Sequence, residues 1–229
     1  MRVFCHMVVG PGEADRYLSS VLDRCLLWAD VVHVTLDSRA GSEEQDIVSL
    51  RADMWERLSI SWEDHEGRFR GEAWRMLELS DIEPGDFVVC LDADEVIVEN
   101  AIVKPAAKEF PGHVVPFRFH EMWTSNLYRT DGHWKPYPGG IMFPYMKNGY
   151  FQDKAVACGR EPTYATLLPR AKIVGNVLHY GYATDADRHA KYERYMRIDG
   201  GKYHSLTHLQ SIASTNPTLE SWNKGGLLG

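Results

Sequence analysis

Between Arg2 and Leu91 the chain repeatedly switches its hydrophobic period, and few folds satisfy that pattern. Arg2–Val9 is a short apolar run closed by Gly10-Pro11-Gly12, which reads as a strand and a turn. Leu18, Val21, Leu22, Cys25, Leu26 and Ala29 then recur at helical spacing, which predicts a helix over Glu13–Ala29. Val31–Leu36 is a second β-rich run. Glu43–Glu56 carries a stripe of Ile47, Leu50 and Met54, and Leu58–Trp62 reads as a weak third strand. Glu66–Leu79 carries Phe69, Ala73, Met76 and Leu77 on one face, and Phe87–Leu91 is a continuous apolar strand after the turn Glu83-Pro84-Gly85-Asp86. The order is β-α-β-α-β-α-β. Strands apolar on both faces, separated by amphipathic helices, demand a mostly parallel sheet covered on both sides. The crossovers are expected to be right-handed, and ligands are expected beyond the carboxyl ends of the strands.

The second half is less regular. A helix is expected over Asn100–Phe110, limited by Pro105, and a strand over His113–Trp123. Residues 126–150 are rich in Pro, Gly, Tyr and Trp and show no clean period. Lys172–Tyr182 reads as a strand and Asp185–Arg197 as a helix. The stretch after Asp199 is polar, and Gly225–Gly229 is expected to fray. No repeat or linker divides the chain, so one domain over 1–229 is expected. With 229 residues and 44% apolar content it can bury roughly 70% of its unfolded surface and needs no covalent staple. Cys5, Cys25, Cys90 and Cys158 form no C-x-x-C pair, and the first three lie in apolar runs. They read as free thiols of a reducing compartment, hence a cytoplasmic protein. No stretch approaches ~18 consecutive apolar residues, and the opening run reads as a core strand, not a signal peptide. The balance of 25 basic and 32 acidic residues, net −7, lowers the expectation of binding nucleic acid or anionic membrane.

The strongest chemical signal is Leu91-Asp92-Ala93-Asp94-Glu95. An apolar strand delivers three carboxylates at its carboxyl end. Carboxylates so close repel one another unless something positive sits among them, and a hard divalent cation, Mg²⁺ or Mn²⁺, is the usual partner. Strand alternation would aim Asp92 and Asp94 to one side and Ala93 to the other. The alternative is a solvated acidic loop tip.

This segment resembles the D-x-D element of GT-A glycosyltransferases, in particular family 2-like enzymes of bacterial and phage type. The order of elements is similar too, and Val177-Leu178-His179-Tyr180-Gly181-Tyr182 followed by Asp187–Tyr195 resembles the C-terminal segment of such enzymes. The resemblance covers about residues 1–98 and, more loosely, 172–210. It implies a single GT-A (Rossmann-like) domain, with a nucleotide-sugar-binding half over 1–98 and an acceptor-side half over 99–229. It implies metal-dependent transfer of a sugar from a nucleotide-sugar donor, first of all a UDP-sugar, to an acceptor hydroxyl, with inversion as the default. The acceptor is left open among glycan, protein, metabolite and modified DNA base. The chain departs from the family where Leu36-Asp37-Ser38-Arg39-Ala40 replaces the usual Asp-Asp-Gly-Ser, and no Glu-Asp pair occurs in residues 110–170.

Residue by residue, the resemblance implies Mn²⁺ or Mg²⁺ on Asp92 and Asp94, with Asp94 the direct ligand and Asp92 also reaching the ribose or a water. It implies His179 as a third ligand, although a lone histidine beside an apolar strand is more often structural. Gly10, Glu13, Asp37 and Arg68 are the implied contacts to the nucleotide sugar. An inverting transfer needs a general base, for which Glu121 ranks first, Asp131 second and Asp153 third. His204 and His208, at i, i+4 spacing, could form half a zinc site, and are otherwise a solvated or acceptor-site pair. The aromatics from Trp123 to Phe151 suit core packing first and an acceptor platform second. Two rival functions share these features: a metal-dependent nucleotidyl- or phosphotransferase, and a non-catalytic nucleotide-sugar-binding module.

Overall fold

The computed structural model describes residues 1–223; the glycine-rich end predicted to fray lies outside the described residues. The chain runs β1 (Val3–Val9), α1 (Leu18–Cys25), β2 (Val31–Leu36), α2 (Ser42–Ser49), β3 (Met54–Arg57), α3 (Glu66–Glu78), β4 (Phe87–Asp92) and β5 (Glu95–Ile97). It continues through α4 (Val103–Glu109), β6 (Val115–Glu121), β7 (Leu127–Arg129), β8 (Tyr137–Pro144), β9 (Asn176–His179), α5 (Asp185–Ile198), α6 (Leu206–Ile212) and β10 (Leu219–Ser221). The central sheet has eight strands in the order β3-β2-β1-β4-β8-β6-β9-β5, and β10 pairs with β7 in a small second sheet. The block β3-β2-β1-β4 is parallel throughout. Beyond it β8 runs antiparallel to β4 and β6, β9 runs parallel to β6, and β5 closes the far edge antiparallel to β9. The molecule is thus an α/β fold around a mostly parallel, Rossmann-like sheet. No helix of the described residues is long and apolar enough to cross a membrane.

The alternation along β1 explains why the sheet is buried on both faces. Val3, Cys5, Met7 and Val9 pack with α1, α2 and α4 in one core. Phe4 and Val8 face the other way, toward clusters built around Trp74, Leu77, Phe69 and Ala73 of α3. Each face needs its helix, because an uncovered apolar strand face costs about 25 cal/mol for every Å² left in water. Cys5, Cys25 and Cys90 are buried, and all four cysteines are free.

Several element boundaries differ from expectation. The first helix begins at Leu18, not at Glu13, because residues 13–17 form turns that leave Glu13 and Arg16 facing a cavity. The third strand is Met54–Arg57, not Leu58–Trp62, and the second helix ends before it. The Asp53 carboxylate accepts from Val32 N at 2.7 Å while Asp53 N donates to Val32 O, which locks the chain into the sheet just ahead of Met54. This edge strand is largely exposed, so its burial left no apolar signature. Strands β5, β7, β8 and β10 and helix α6 lie in segments whose periodicity was mute.

Candidate metal and phosphate site

The site is assembled by strand register. In the sheet, His179 at the end of β9 lies opposite Glu121 of β6 on one side and Glu95 of β5 on the other. The turn Ala93-Asp94 joins β4 to β5, and Tyr180 N donates to Asp94 O at 2.8 Å, which fixes Asp94 beside His179. Residues far apart in sequence therefore meet at one edge of the sheet. The Asp94 carboxylate reaches its place through a turn, not through strand alternation.

A cavity of about 1200 Å³ opens at this edge. Gly10, Glu13, Asp92, Asp94, Glu121 and His179 line it, as do Arg16, Arg70, Arg160, Lys191 and Arg194. Asp94 Oδ2 lies 3.5 Å from His179 Nε2 and 3.7 Å from Lys191 Nζ. On the opposite side of the imidazole, His179 Nδ1 lies 2.6 Å from Glu121 Oε2, while the other Glu121 oxygen accepts from Tyr137 OH at 3.0 Å. Asp94, Glu95 and His179 could hold a metal ion, since one ligand atom from each lies within 4.8 Å of the others. Glu95 is the least available of the three. It accepts from Asp92 N at 3.0 Å and is clasped by the Arg160 guanidinium.

Burial and charge set the protonation pattern. For Asp94 burial disfavours the charge, but His179 and Lys191 more than reverse this and hold the carboxyl well below the usual range. For His179 burial is outweighed by Glu121 and Asp94, and the imidazole is pushed up to about 10. Glu121 is held low against burial by the His179 charge. Burial, reinforced by the Asp94 charge, pushes Glu13 up to about 7. Burial also takes Glu95 to about 7, with Arg160 opposing.

The remaining expected residues fall in different places. Asp92 lines the cavity but is held by Arg70 at 3.0 Å and Arg160 at 3.4 Å, and it lies outside the candidate metal group. The positive partner that its carboxylate demands is a pair of guanidinium groups. Asp37 is fully buried and is not among the cavity residues. Its oxygens accept from Arg39 N, Ser61 Oγ and Trp62 N, so it pins the loop that carries Trp62 instead of facing the cavity. Arg68 points to solvent beside Asp153, 3.5 Å away, and neither lines the cavity. Asp131 is tied to Arg129 at 2.5 Å and accepts from Thr218 N, also away from the cavity.

Sequence reasoning missed Arg70, Arg160, Lys191 and Gly181. Arg70 was findable: it shares a helical face with Trp74 and Leu77, both buried, whereas Arg68 does not. Arg160 comes from an irregular segment and had no signal. Gly181 is special because a Cβ there would stand 2.5 Å from His179 Nε2 and 2.7 Å from Asp94 Oδ2, and closer still to Lys191 Nζ. His204 and His208 also line the cavity; His204 Nδ1 lies 2.6 Å from Asp199 Oδ2, and the pair is not part of the candidate metal group. Of the aromatics, Phe143, Tyr145 and Phe151 pack on Trp74, while Trp134, Tyr137 and Tyr182 reach the cavity.

No protein-family model matches the chain. No curated protein matches it either. Among solved structures, the fold is similar to S. aureus TarS 1-349, at 12% identity over 93% of this chain and 69% of that one, with a TM-score of 0.47. It is also similar to a nucleotidyl transferase from Methanothermobacter thermautotroptrophicus (Mth528), at 13% identity over 55% and 64% of the two chains, with a TM-score of 0.35. A third is mannose-6-phosphate isomerase from Helicobacter pylori, at 12% identity over 58% and 57%, with a TM-score of 0.33.

Proposed function

We propose that the chain is a metal-assisted glycosyltransferase that moves a sugar from a nucleoside diphosphate carrier, first of all a UDP-sugar, to an acceptor hydroxyl. One observation carries this reading. Asp94 Oδ2, His179 Nε2 and Lys191 Nζ converge on the space left by the missing Cβ of Gly181, inside a cavity that arginines also line. A carboxylate oxygen with an imidazole nitrogen suits Mn²⁺ better than Mg²⁺, which prefers oxygen ligands alone, and Glu121 behind His179 supplies the outer carboxylate that orients such a ligand. The resemblance of Leu91–Glu95 to a D-x-D element supports the same choice.

When bound, the ion would act as a Lewis acid toward the departing diphosphate. The chain's own residues supply the rest. Arg16, Arg70, Arg160 and Lys191 place positive charge around a cavity that also holds Glu13, Glu66, Asp92, Asp94 and Glu121, so donors for an entering diphosphate stand beside the carboxylates. Asp92 keeps Arg70 and Arg160 in position. Glu121, charged, paired with the His179 imidazole and accepting from Tyr137 OH, positions the imidazole. The exposed ring of Tyr137, stacked on Phe119 by one face, offers a flat apolar face for the sugar or its acceptor.

The test is transfer itself. The protein is incubated with UDP-sugars, Mn²⁺ and a panel of hydroxylated acceptors, and UDP release is followed. Metal-dependent release that Asp94→Ala abolishes supports the reading. Release of pyrophosphate from a nucleoside triphosphate, with no UDP-sugar consumed, would replace it with nucleotidyl transfer.

A further inference from the structure

Lys191, in the second turn of α5, places its ammonium 3.7 Å from Asp94 Oδ2 and 3.4 Å from His179 Nε2. The same Nζ lies 4.4 Å from the centroid of the Tyr182 ring. The space left by the missing Cβ of Gly181 is bounded by these same three atoms, Asp94 Oδ2, His179 Nε2 and Lys191 Nζ. A metal ion held by Asp94 and His179 would need the place where the ammonium now sits. Two cations cannot share it. Like charges about 4 Å apart repel by about 1 kcal/mol even in water, and by several times more where water is excluded. The lysine stem is long and its side chain is still 23% exposed, so the ammonium can swing into the cavity.

Resting on the metal-assisted reading above, we infer that Lys191 is a tethered stand-in for the ion. Without metal its ammonium balances Asp94 and keeps the site closed. An entering ion displaces it. The displaced ammonium then lacks an anion, and the diphosphate of the donor supplies one in the same cavity. Metal and diphosphate therefore bind with positive coupling, and by linkage each strengthens the other by the same factor.

The experiment titrates Mn²⁺ alone, by calorimetry, into the wild-type protein and into Lys191→Met, Lys191→Gln, Lys191→Arg and Asp94→Ala. Lys191→Met and Lys191→Gln are expected to bind Mn²⁺ at least tenfold more tightly than wild type, because the ion no longer has to expel a cation. Lys191→Arg keeps the charge and stays within a few-fold of wild type, and Asp94→Ala loses the site. A second titration, of UDP with and without Mn²⁺, is expected to show that Mn²⁺ strengthens UDP binding in wild type by a larger factor than in Lys191→Met. If both neutral variants bind Mn²⁺ no more tightly than wild type while Asp94→Ala loses it, the Lys191 inference is overturned and the metal reading stands. If Asp94→Ala binds Mn²⁺ as wild type does, the metal reading itself falls, and the inference with it.

Discussion

At the scale of single residues, the account turns on His179 and the carboxylates on either side of it. Their division of labour is testable. Glu121, 2.6 Å from His179 Nδ1, is held low by the imidazole it faces, and the proposed function gives it the role of orienting that ring. Glu121→Gln is expected to weaken Mn²⁺ binding by about 10–100-fold, the usual effect of removing an outer carboxylate. A fall in kcat with Mn²⁺ affinity unchanged would instead make Glu121 the general base. The protonation of His179 gives a second prediction. Its folded value of about 10 lies above the ordinary 6.5, so the imidazole is charged near neutrality and an ion must displace its proton. Mn²⁺ binding should release about one proton and strengthen by up to about tenfold per pH unit until about pH 10. The opposite trend is expected for the stability of the metal-free protein. The stability conferred by the raised value is fully present below about pH 6.5 and is lost as pH rises through about 10. Calorimetry in buffers of different ionisation enthalpy counts the proton. A Mn²⁺ affinity flat between pH 6.5 and 8.5 would contradict the assignment.

At the scale of elements, close approaches of backbone decide whether the parts fit. Gly67 opens α3 against the segment that carries Arg160. A Cβ there would stand 2.9 Å from Lys154 N and 3.1 Å from Lys154 O, with the Gln152 carbonyl closer still. Backbone on both sides leaves no flexible side chain to yield. Gly67→Ala should therefore cost about 1–3 kcal/mol and lower donor affinity through Arg160; chemical denaturation with the midpoint unchanged would refute this. Gly181→Ala tests the turn between β9 and α5 by another route, since its Cβ would meet side-chain atoms of Lys191, His179 and Asp94; Mn²⁺ affinity is the readout and a loss of about tenfold to a hundredfold is expected. These elements also show what a sequence can and cannot disclose. The strands β1, β2 and β4 and helix α3 were legible because burial on known faces writes a period into the residues. The edge strand β3 is mostly exposed and wrote none. Asp37, buried and outside the cavity lining, shows a related ambiguity. An acid at a strand end can face a ligand or pin its own loop, and only the geometry of Ser61 and Trp62 distinguishes the two.

At the scale of the whole molecule, the parallel block predicted from the first half puts its strand ends where the site lies, as such sheets do. Asp94 could be nominated in advance because it follows an apolar strand, and His179 because its segment resembles the C-terminal segment of family 2-like enzymes. Their juxtaposition could not be derived from periodicity, since it depends on β5 and β9 pairing in one register at the far edge of the sheet. The basic residues that balance the acids were equally hidden. Arg160 arrives from an irregular segment and Lys191 from a helix whose cavity-facing side is polar. In the proposed function, Asp94 and His179 hold an ion that brings in a nucleotide sugar. A thermal-shift series with UDP-, GDP-, TDP- and CDP-sugars, each with and without Mn²⁺, on wild type and Asp94→Ala, tests it most directly. A donor at about 100 times its Kd adds about 2.7 kcal/mol, or roughly 5–10 °C for a chain of this size. That shift is expected for one nucleotide, only with Mn²⁺, and only in the wild type. Stabilisation by no nucleotide sugar under any condition, or an equal shift in Asp94→Ala, would contradict it.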